Sequence, residues 1–290
     1  MAAEISGSTK IVGVFGYPVK HSASPAMHNA AFAACGLNYV YVAFEVKPES
    51  LGQALHGLQA LGIRGVNLTI PHKENALQFM DKLSSEAAAM GAVNTVVIDH
   101  GRLSGYDTDT EGFLKSLVEE SQFEPRGQKA MVLGSGGASR AVLFGLAGAK
   151  VSEIVIANRT AVRAEKLASE IAGKFPKVKM KTIPLSTDSI TEQMPSCSLL
   201  VNTTPLGMHG ENPVRNTGCL HKNLTVYDLV YIPQSTPLLK EAKKRGAKTI
   251  GGLNMLVYQG AISFELWTGR KPPIGIMKDA AEEAVRKRCN

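Results

Sequence analysis

The stretch Lys129-Ala130-Met131-Val132-Leu133-Gly134-Ser135-Gly136-Gly137-Ala138-Ser139-Arg140-Ala141 decides the fold. Its apolar start, Lys129 to Leu133, reads as a short buried strand. The strand runs straight into a glycine turn, and the residues beyond predict a helix to about Ala147. Strand, glycine turn and helix in that order are the context of a dinucleotide fingerprint. The pattern is G-x-G-G-A-S rather than G-x-G-x-x-G. Gly137 and Ala138 are small enough for the helix to pack close and for backbone N–H groups to meet a pyrophosphate. An ordinary tight turn is the plain alternative, and the flanking elements argue against it.

Downstream, Ile154 to Ala157 reads as a strand and Arg163 to Lys174 as a helix. Lys179 to Ile183, Ser198 to Asn202, Thr225 to Leu229 and Lys248 to Ile250 read as further strands, with a helix from Pro237 to Arg245. Repeated βα units predict a doubly wound parallel sheet. Asn158-Arg159-Thr160 follows the strand that ends at Ala157. An acidic residue there would hold a ribose 2′-hydroxyl, but Arg159 takes the place, with Arg163 one helical turn on. Guanidinium suits a 2′-phosphate, so NADP is expected over NAD. Surface arginines opening a helix are the alternative.

Upstream, Lys10 to Tyr17 reads as a strand. Ser24 reads as an N-cap with Pro25 at N1, and the helix ends at Gly36. Tyr39 to Val46 is a second strand and Pro48 to Leu61 a helix. The apolar run Ile63 to Ile70 reads as a buried strand stopped by Pro71, which cannot donate to a ladder. Thr69, His72 and Lys73 therefore stand at or just past a strand C-terminus, where open α/β sheets bind ligands. Lys73 there is an acid, a base or an anion clamp, or simply a solvated residue opening the next helix. Helices follow over Glu74 to Met80 and Ser85 to Met90. Asn94 to Asp99 and Arg102 to Tyr106 form a strand pair turned at His100-Gly101. Thr108 to Glu120 is a helix with Asp109 in its first turn. Asn94, Asp107 and Asp109 read equally as hydroxyl-binding groups and as turn or cap chemistry. Ser22-Ala23-Ser24 reads as a carboxylate site or as capping alone. Gly251-Gly252 marks a second boundary, followed by helices over Met255 to Thr268 and Lys278 to Lys287. Breaks near 108 and 252 suggest a hinged cleft closing on substrate, and they let the last helices return to the first module.

Composition narrows the function. Hydrophobic residues make up 44% of the 290. No apolar run approaches the roughly 20 residues of a membrane span. Met1 to Lys10 lacks the pattern of a signal peptide, and a cytoplasmic protein is expected. Cys35, Cys197, Cys219 and Cys289 form no CxxC pair, which argues against zinc or a disulfide framework. None of the 7 histidines shows ligand spacing, so no metal is expected. His28 and His72 read as packing residues. A net charge of +7 is spread out and not interleaved with aromatics, so no nucleic-acid partner is expected. It suits a small anionic substrate and a phosphorylated cofactor. A serine-hydrolase elbow is absent.

The motifs together resemble the shikimate dehydrogenase family. The matching blocks are GYPVKHSASPAMHNAAF (16–32), GVNLTIPHK (65–73), MGAVNTV (90–96), GYDTDTEGF (105–113), LGSGGASRAV (133–142), ANRT (157–160), NTTPLGM (202–208), YDLVY (227–231) and MLVYQGA (255–261). They occur in the family's order. The resemblance implies reversible NADPH-dependent reduction of 3-dehydroshikimate to shikimate, in aromatic amino acid formation. It implies a substrate-binding, catalytic domain over 1–108 and 253–290 and a Rossmann-like NADP domain over 109–252. Lys73 and Asp109 would be the catalytic pair. Ser22 and Ser24 would hold the substrate carboxylate. Thr69, Lys73, Asn94, Asp109 and Gln259 would bind ring hydroxyls, and Tyr231 would line the site. Gly134, Ser135, Gly136, Gly137 and Ala138 would cradle the pyrophosphate. Asn158, Arg159, Thr160 and Arg163 would hold the adenosine phosphate. Leu229, Gly252 and Met255 would lie by the nicotinamide.

The chain departs from the family where Ser135 replaces alanine, Asp107 and Ile232 replace asparagine, and Asn254 replaces glycine. Asp107 places an extra carboxylate near the pair. A relaxed quinate/shikimate dehydrogenase and a silent dinucleotide- or shikimate-binding sensor are the competing expectations. A methylenetetrahydrofolate-dehydrogenase-like enzyme would leave Ser22-Ala23-Ser24 unexplained. The oligomeric state is open, with a homodimer as the expectation.

Overall fold

The computed structural model describes residues 5–289, so the N-terminal reading for Met1 to Glu4 lies outside the described residues. The chain divides into two compact units, one of Met1–Gly112 with Leu256–Arg288 and one of Phe113–Met255.

The elements of the first stretch are β1 (Lys10–Gly16), α1 (Ser24–Ala34), β2 (Tyr39–Glu45), α2 (Leu51–Ala60), β3 (Gly65–Leu68), β4 (Lys82–Leu83), α3 (Ser85–Met90), β5 (Thr95–Asp99) and β6 (Arg102–Tyr106). Then come α4 (Asp109–Ser121), β7 (Lys129–Leu133), α5 (Gly137–Gly148), β8 (Glu153–Asn158), α6 (Ala161–Lys174), β9 (Lys179–Pro184), α7 (Thr187–Gln193), β10 (Leu199–Asn202), β11 (Thr225–Asp228), α8 (Pro237–Lys244), β12 (Lys248–Gly251), α9 (Gly252–Thr268) and α10 (Ile274–Cys289).

The first unit holds a mixed sheet in the order β2-β1-β3-β5-β6-β4. β1 pairs in parallel with β2 and β3, whereas β5 runs antiparallel to β3 and β6. The β5–β6 hairpin turns at His100 and Gly101, both with positive φ (47° and 73°), as a two-residue hairpin turn requires. β3 is buried along its whole length, in a core of Phe15, Leu55, Leu58, Val66, Leu68 and Val96. From α9, Trp267 donates its indole N–H to the Val96 carbonyl at 3.1 Å and fixes that helix to this sheet.

The second unit holds a six-stranded sheet in the order β12-β11-β10-β7-β8-β9, parallel throughout. This is the doubly wound order, with its reversal between β7 and β10. The period of two along each strand divides the core. Ala130, Val132, Ile154, Ile156, Leu199 and Val201 face one side, whereas Met131, Leu133, Val155, Ala157 and Leu200 face the other. Strands buried on both faces read as near-continuous apolar runs, as the inner strands β7, β8 and β10 do, whereas the edge strands β9 and β12 keep exposed lysines.

The expected elements shift in places. The helix expected over Glu74 to Met80 is a 3₁₀ turn, Asn75–Phe79. α9 begins at Gly252 and α10 at Ile274, each ahead of its expected start. Gly252 reads as a breaker, but its lack of a side chain serves close packing: a Cβ there would lie 2.1 Å from the Leu229 carbonyl oxygen. β4 and α7 have no counterpart among the expected elements. β4 is two residues long, and α7 is polar with only Ile190 buried.

Candidate functional site

β3 ends at Leu68 and the chain turns at once, the His72 N–H meeting the Thr69 carbonyl at 2.9 Å. Tyr17 N–H donates to the Ile70 carbonyl at 3.0 Å, tying the loop after β1 to the same turn. Lys73 emerges with its side chain 31% exposed, and its Nζ donates to Asp109 Oδ2 at 2.5 Å. Asp109, 14% exposed, opens α4. The pair joins a strand end to a helix start.

Asp107 lies close by but points elsewhere. Its Oδ2 accepts from Thr110 Oγ1 at 2.5 Å and from Thr110 N at 3.2 Å. Burial, and then the charge of Asp109, push the Asp107 carboxyl up to about 6. The Thr110 hydroxyl and the Lys73 charge oppose that shift.

Beneath the pair runs a buried polar network. Asn94 Oδ1 accepts from Thr108 N at 2.8 Å, and its Nδ2 donates to Thr108 Oγ1 at 2.9 Å and toward Gln259 Oε1 at 3.5 Å. Asn67 Nδ2 donates to Thr95 Oγ1 and Ser263 Oγ, at 3.0 and 2.9 Å. Tyr41 Oη donates to Asn67 Oδ1 at 2.8 Å. Satisfied networks of this kind fix rotamers. The Asn94 amide is held on Thr108, one residue from Asp109, and the Gln259 amide lies between Asn94 and the Leu256 carbonyl.

Ser22 and Ser24 differ from the capping reading. Ala23, not Ser24, is the N-cap of α1, no side chain caps the helix, and Pro25 is its second residue. Ser22 Oγ accepts the Ser24 N–H at 3.2 Å, which closes the turn from the loop side. The Ser24 hydroxyl faces the Tyr41 phenol, whose pKa burial raises. Arg288 of α10 donates to the carbonyls of His21 and Ser22, the latter at 3.1 Å.

In the second unit, the glycine turn lies at the sheet's reversal. Gly134 has φ +107°, and a Cβ there would meet Thr203 Oγ1 at 2.6 Å. Gly136 is the N-cap of α5 and offers no capping side chain. Space is open around Gly136 and Gly137, with no atom within 4 Å of a built Cβ. Open first-turn N–H groups at a 12-residue helix start fit a pyrophosphate. The Gly134 N–H donates to the Ala157 carbonyl at 2.8 Å, which brings the turn beside the end of β8. There Asn158 Nδ2 donates to the Thr160 carbonyl at 2.8 Å, and Arg159, Thr160 and Arg163 are exposed. The first turn of α6 carries no acid, so nothing there repels a 2′-phosphate. Leu229 and Met255 pack on one core, and Gly252 lies against Leu229. Tyr231 is half-buried in the loop after β11.

His72 is buried, its Nε2 at 2.8 Å from the Val46 carbonyl, and burial lowers its pKa. His28 is wholly buried and stacked on Tyr41, ring centroids 4.4 Å apart. Neither histidine reaches the Lys73 pair by any hydrogen bond among the described residues. No group of three His, Cys, Asp or Glu side chains among them could hold a metal. Asn67 and Asp228 were given no site role by the sequence reading, and Thr108 only the start of a helix. A polar residue inside an apolar strand or at its last position was the available signal for Asn67 and Asp228.

Fold and site define a class: an α/β protein with a dinucleotide-type sheet in one unit and a lysine–carboxylate pair in the other. Three family definitions match the chain: the shikimate dehydrogenase substrate binding domain at 14–96, shikimate/quinate 5-dehydrogenase at 116–193, and the shikimate 5′-dehydrogenase C-terminal domain at 252–282. The shikimate dehydrogenase (NADP(+)) of Methanopyrus kandleri is 50% identical over 99% of both chains. That of Methanothermobacter thermautotrophicus is 43% identical over 98% of this chain and 99% of its own. A crystal structure of a shikimate dehydrogenase in complex with NADP+ superposes with a TM-score of 0.91, at 44% identity, over 98% of this chain and 99% of that one. The chain belongs to the shikimate dehydrogenase family.

Proposed function

We propose that the chain catalyses the reversible, NADPH-dependent reduction of 3-dehydroshikimate to shikimate. The observation that carries this reading is the Lys73 Nζ–Asp109 Oδ2 contact of 2.5 Å beside the fixed amides of Asn94 and Gln259. The names and ligands of the relatives support it.

Ser22 and Ser24 hold the substrate carboxylate, and Thr69, Asn94 and Gln259 the ring hydroxyls. Gly134 to Ala138 cradle the pyrophosphate, with Asn158, Arg159, Thr160 and Arg163 on the adenosine phosphate. Leu229, Gly252 and Met255 bound the nicotinamide, and Tyr231 the substrate. When bound, the nicotinamide supplies the hydride. In the reduction Lys73, as ammonium, donates through Nζ to the substrate carbonyl oxygen and gives up a proton as that oxygen becomes a hydroxyl. In the oxidation neutral Lys73 takes the proton back. Asp109 Oδ2 holds Nζ in place for both directions.

Reduction of NADP with shikimate, followed at the absorbance of reduced nicotinamide, tests the activity; quinate and NAD in the same assay test its strictness. Lys73→Ala is expected to lower kcat by about two to four decades. Turnover within about threefold of the unmodified chain would sink the assignment. A cytoplasmic homodimer completes the proposal. Light scattering that returns the mass of a single 30.9 kDa chain would remove the dimer. No helix among the described residues is long and apolar enough to cross a membrane.

A further inference from the structure

Asp228 is the last residue of β11, and none of its surface is exposed. Burial raises its pKa, and its partners are neutral donors. Oδ1 accepts from Asn202 Nδ2 at 2.8 Å and from Val230 N at 3.1 Å. Oδ2 accepts from Thr236 Oγ1 at 2.7 Å. A buried carboxylate satisfied in this way is a costly choice where an apolar side chain would pack. Neither the register of β11 with β10 nor the core beneath it asks for a carboxylate.

The bonds go to two loops. Asn202 passes the contact on, with Nδ2 also donating to the Leu206 carbonyl at 2.9 Å and Oδ1 accepting from Thr204 N and Thr204 Oγ1 at 3.1 and 2.7 Å. That fixes the loop after β10, whose Thr203 touches the glycine turn by way of Ser139. Val230 and Thr236 bracket the loop after β11, which carries Tyr231. Gly207, whose φ of +116° favours glycine, lies in the same loop within ordinary contact range of Thr236 and Asp228. Both loops lie at the C-terminal edge of the parallel sheet, where such folds bind ligands.

We infer that Asp228 is a positioning residue, its carboxylate locking the loops after β10 and β11 together so that Leu229 and Tyr231 are presented to nicotinamide and substrate. The inference rests on the dehydrogenase reading above. Asp228→Ala is expected to raise the KM for shikimate about tenfold and the Kd for NADPH, read from its fluorescence, about fivefold. Asp228→Asn keeps an acceptor for Asn202 and Val230 and turns its amide to Thr236, so both constants should return to within about threefold. Thr236→Val removes the Oδ2 contact together with the cap that Thr236 Oγ1 gives the Leu239 N–H of α8; it should raise the shikimate KM about threefold, whereas Thr236→Ser, which keeps both bonds, should leave it unchanged, and the pair stands in if Asp228→Ala does not fold. An Asp228→Ala chain that melts lower but keeps both constants within about twofold overturns the inference, as does a Thr236→Val chain with an unchanged KM. A chain that binds NADPH but never oxidises shikimate condemns the dehydrogenase reading, and loss of NADPH affinity in its Asp228→Ala form still upholds the loop-locking role.

Discussion

Asp107 is a buried carboxyl next to an ion pair it does not join. Its folded pKa, about 6, lies above the ordinary 3.8, so between those values the folded chain holds a proton that the unfolded chain has lost. The contribution of Asp107 to stability therefore falls as pH rises through that window, by something on the order of 1–3 kcal/mol. Asp107→Asn keeps the acceptor for Thr110 and should remove this contribution, so that the melting temperature climbs more from pH 4 to pH 7 than in the unmodified chain. An unchanged pH slope would place the titration elsewhere. Arg159 and Ser22 carry predictions of binding rather than stability. Arg159→Ala should weaken NADPH much more than NADH, and equal losses would refute its 2′-phosphate role. Ser22→Ala should raise the KM for shikimate with little change in kcat. A change confined to melting temperature would reduce Ser22 to the turn it closes with Ser24.

Among the elements, the start of α9 is the most sharply constrained. Gly252 packs so near Leu229 that Gly252→Ala needs the helix to move, and overpacking of this kind costs about 1–3 kcal/mol or more. A lowered midpoint in urea would register it, and a midpoint equal to that of the unmodified chain would count against the packing. The same place shows why the sequence was only partly legible. A glycine pair reads as a break because glycine is poor in helices, yet here tertiary packing overrides propensity. The parallel sheet was readable because its inner strands, β7, β8, β10 and β11, are largely buried and mostly apolar. The glycine turn was readable because a strand, small residues and a helix follow one another without a gap. Ser24 misled, since a serine before Pro25 looks like a cap, whereas the preceding loop brings its hydroxyl to Tyr41. Pairings such as Lys73 with Asp109 are set by the sheet order, which no local pattern states; only the family resemblance pointed to them. Asp228 was invisible for the same reason: its partners come from two separate loops.

Across the whole chain, the titrations of the first unit oppose one another. His28 is wholly buried with its pKa lowered to about 3 from 6.5, so the unfolded chain takes up protons first as pH falls. Its contribution to stability therefore rises with pH between those values, whereas that of Asp107 falls between 3.8 and about 6. The two slopes overlap and oppose, so the melting temperature of the unmodified chain should change less across pH 4 to 6 than that of a chain lacking either group. His28→Leu should expose the falling slope and Asp107→Asn the rising one. Parallel flat profiles in both variants would show that neither group titrates as its burial demands. The nearness of Trp267 to His28 carries this into spectroscopy. Trp267 is the one tryptophan of the chain, its ring centroid 5.5 Å from the His28 ring. Indole emission therefore reports on the first unit alone, and the second can melt unseen in that channel. A protonated imidazole at this range quenches indole, so the folded chain should stay bright well below pH 6.5 and dim only as His28 takes its proton or the first unit opens.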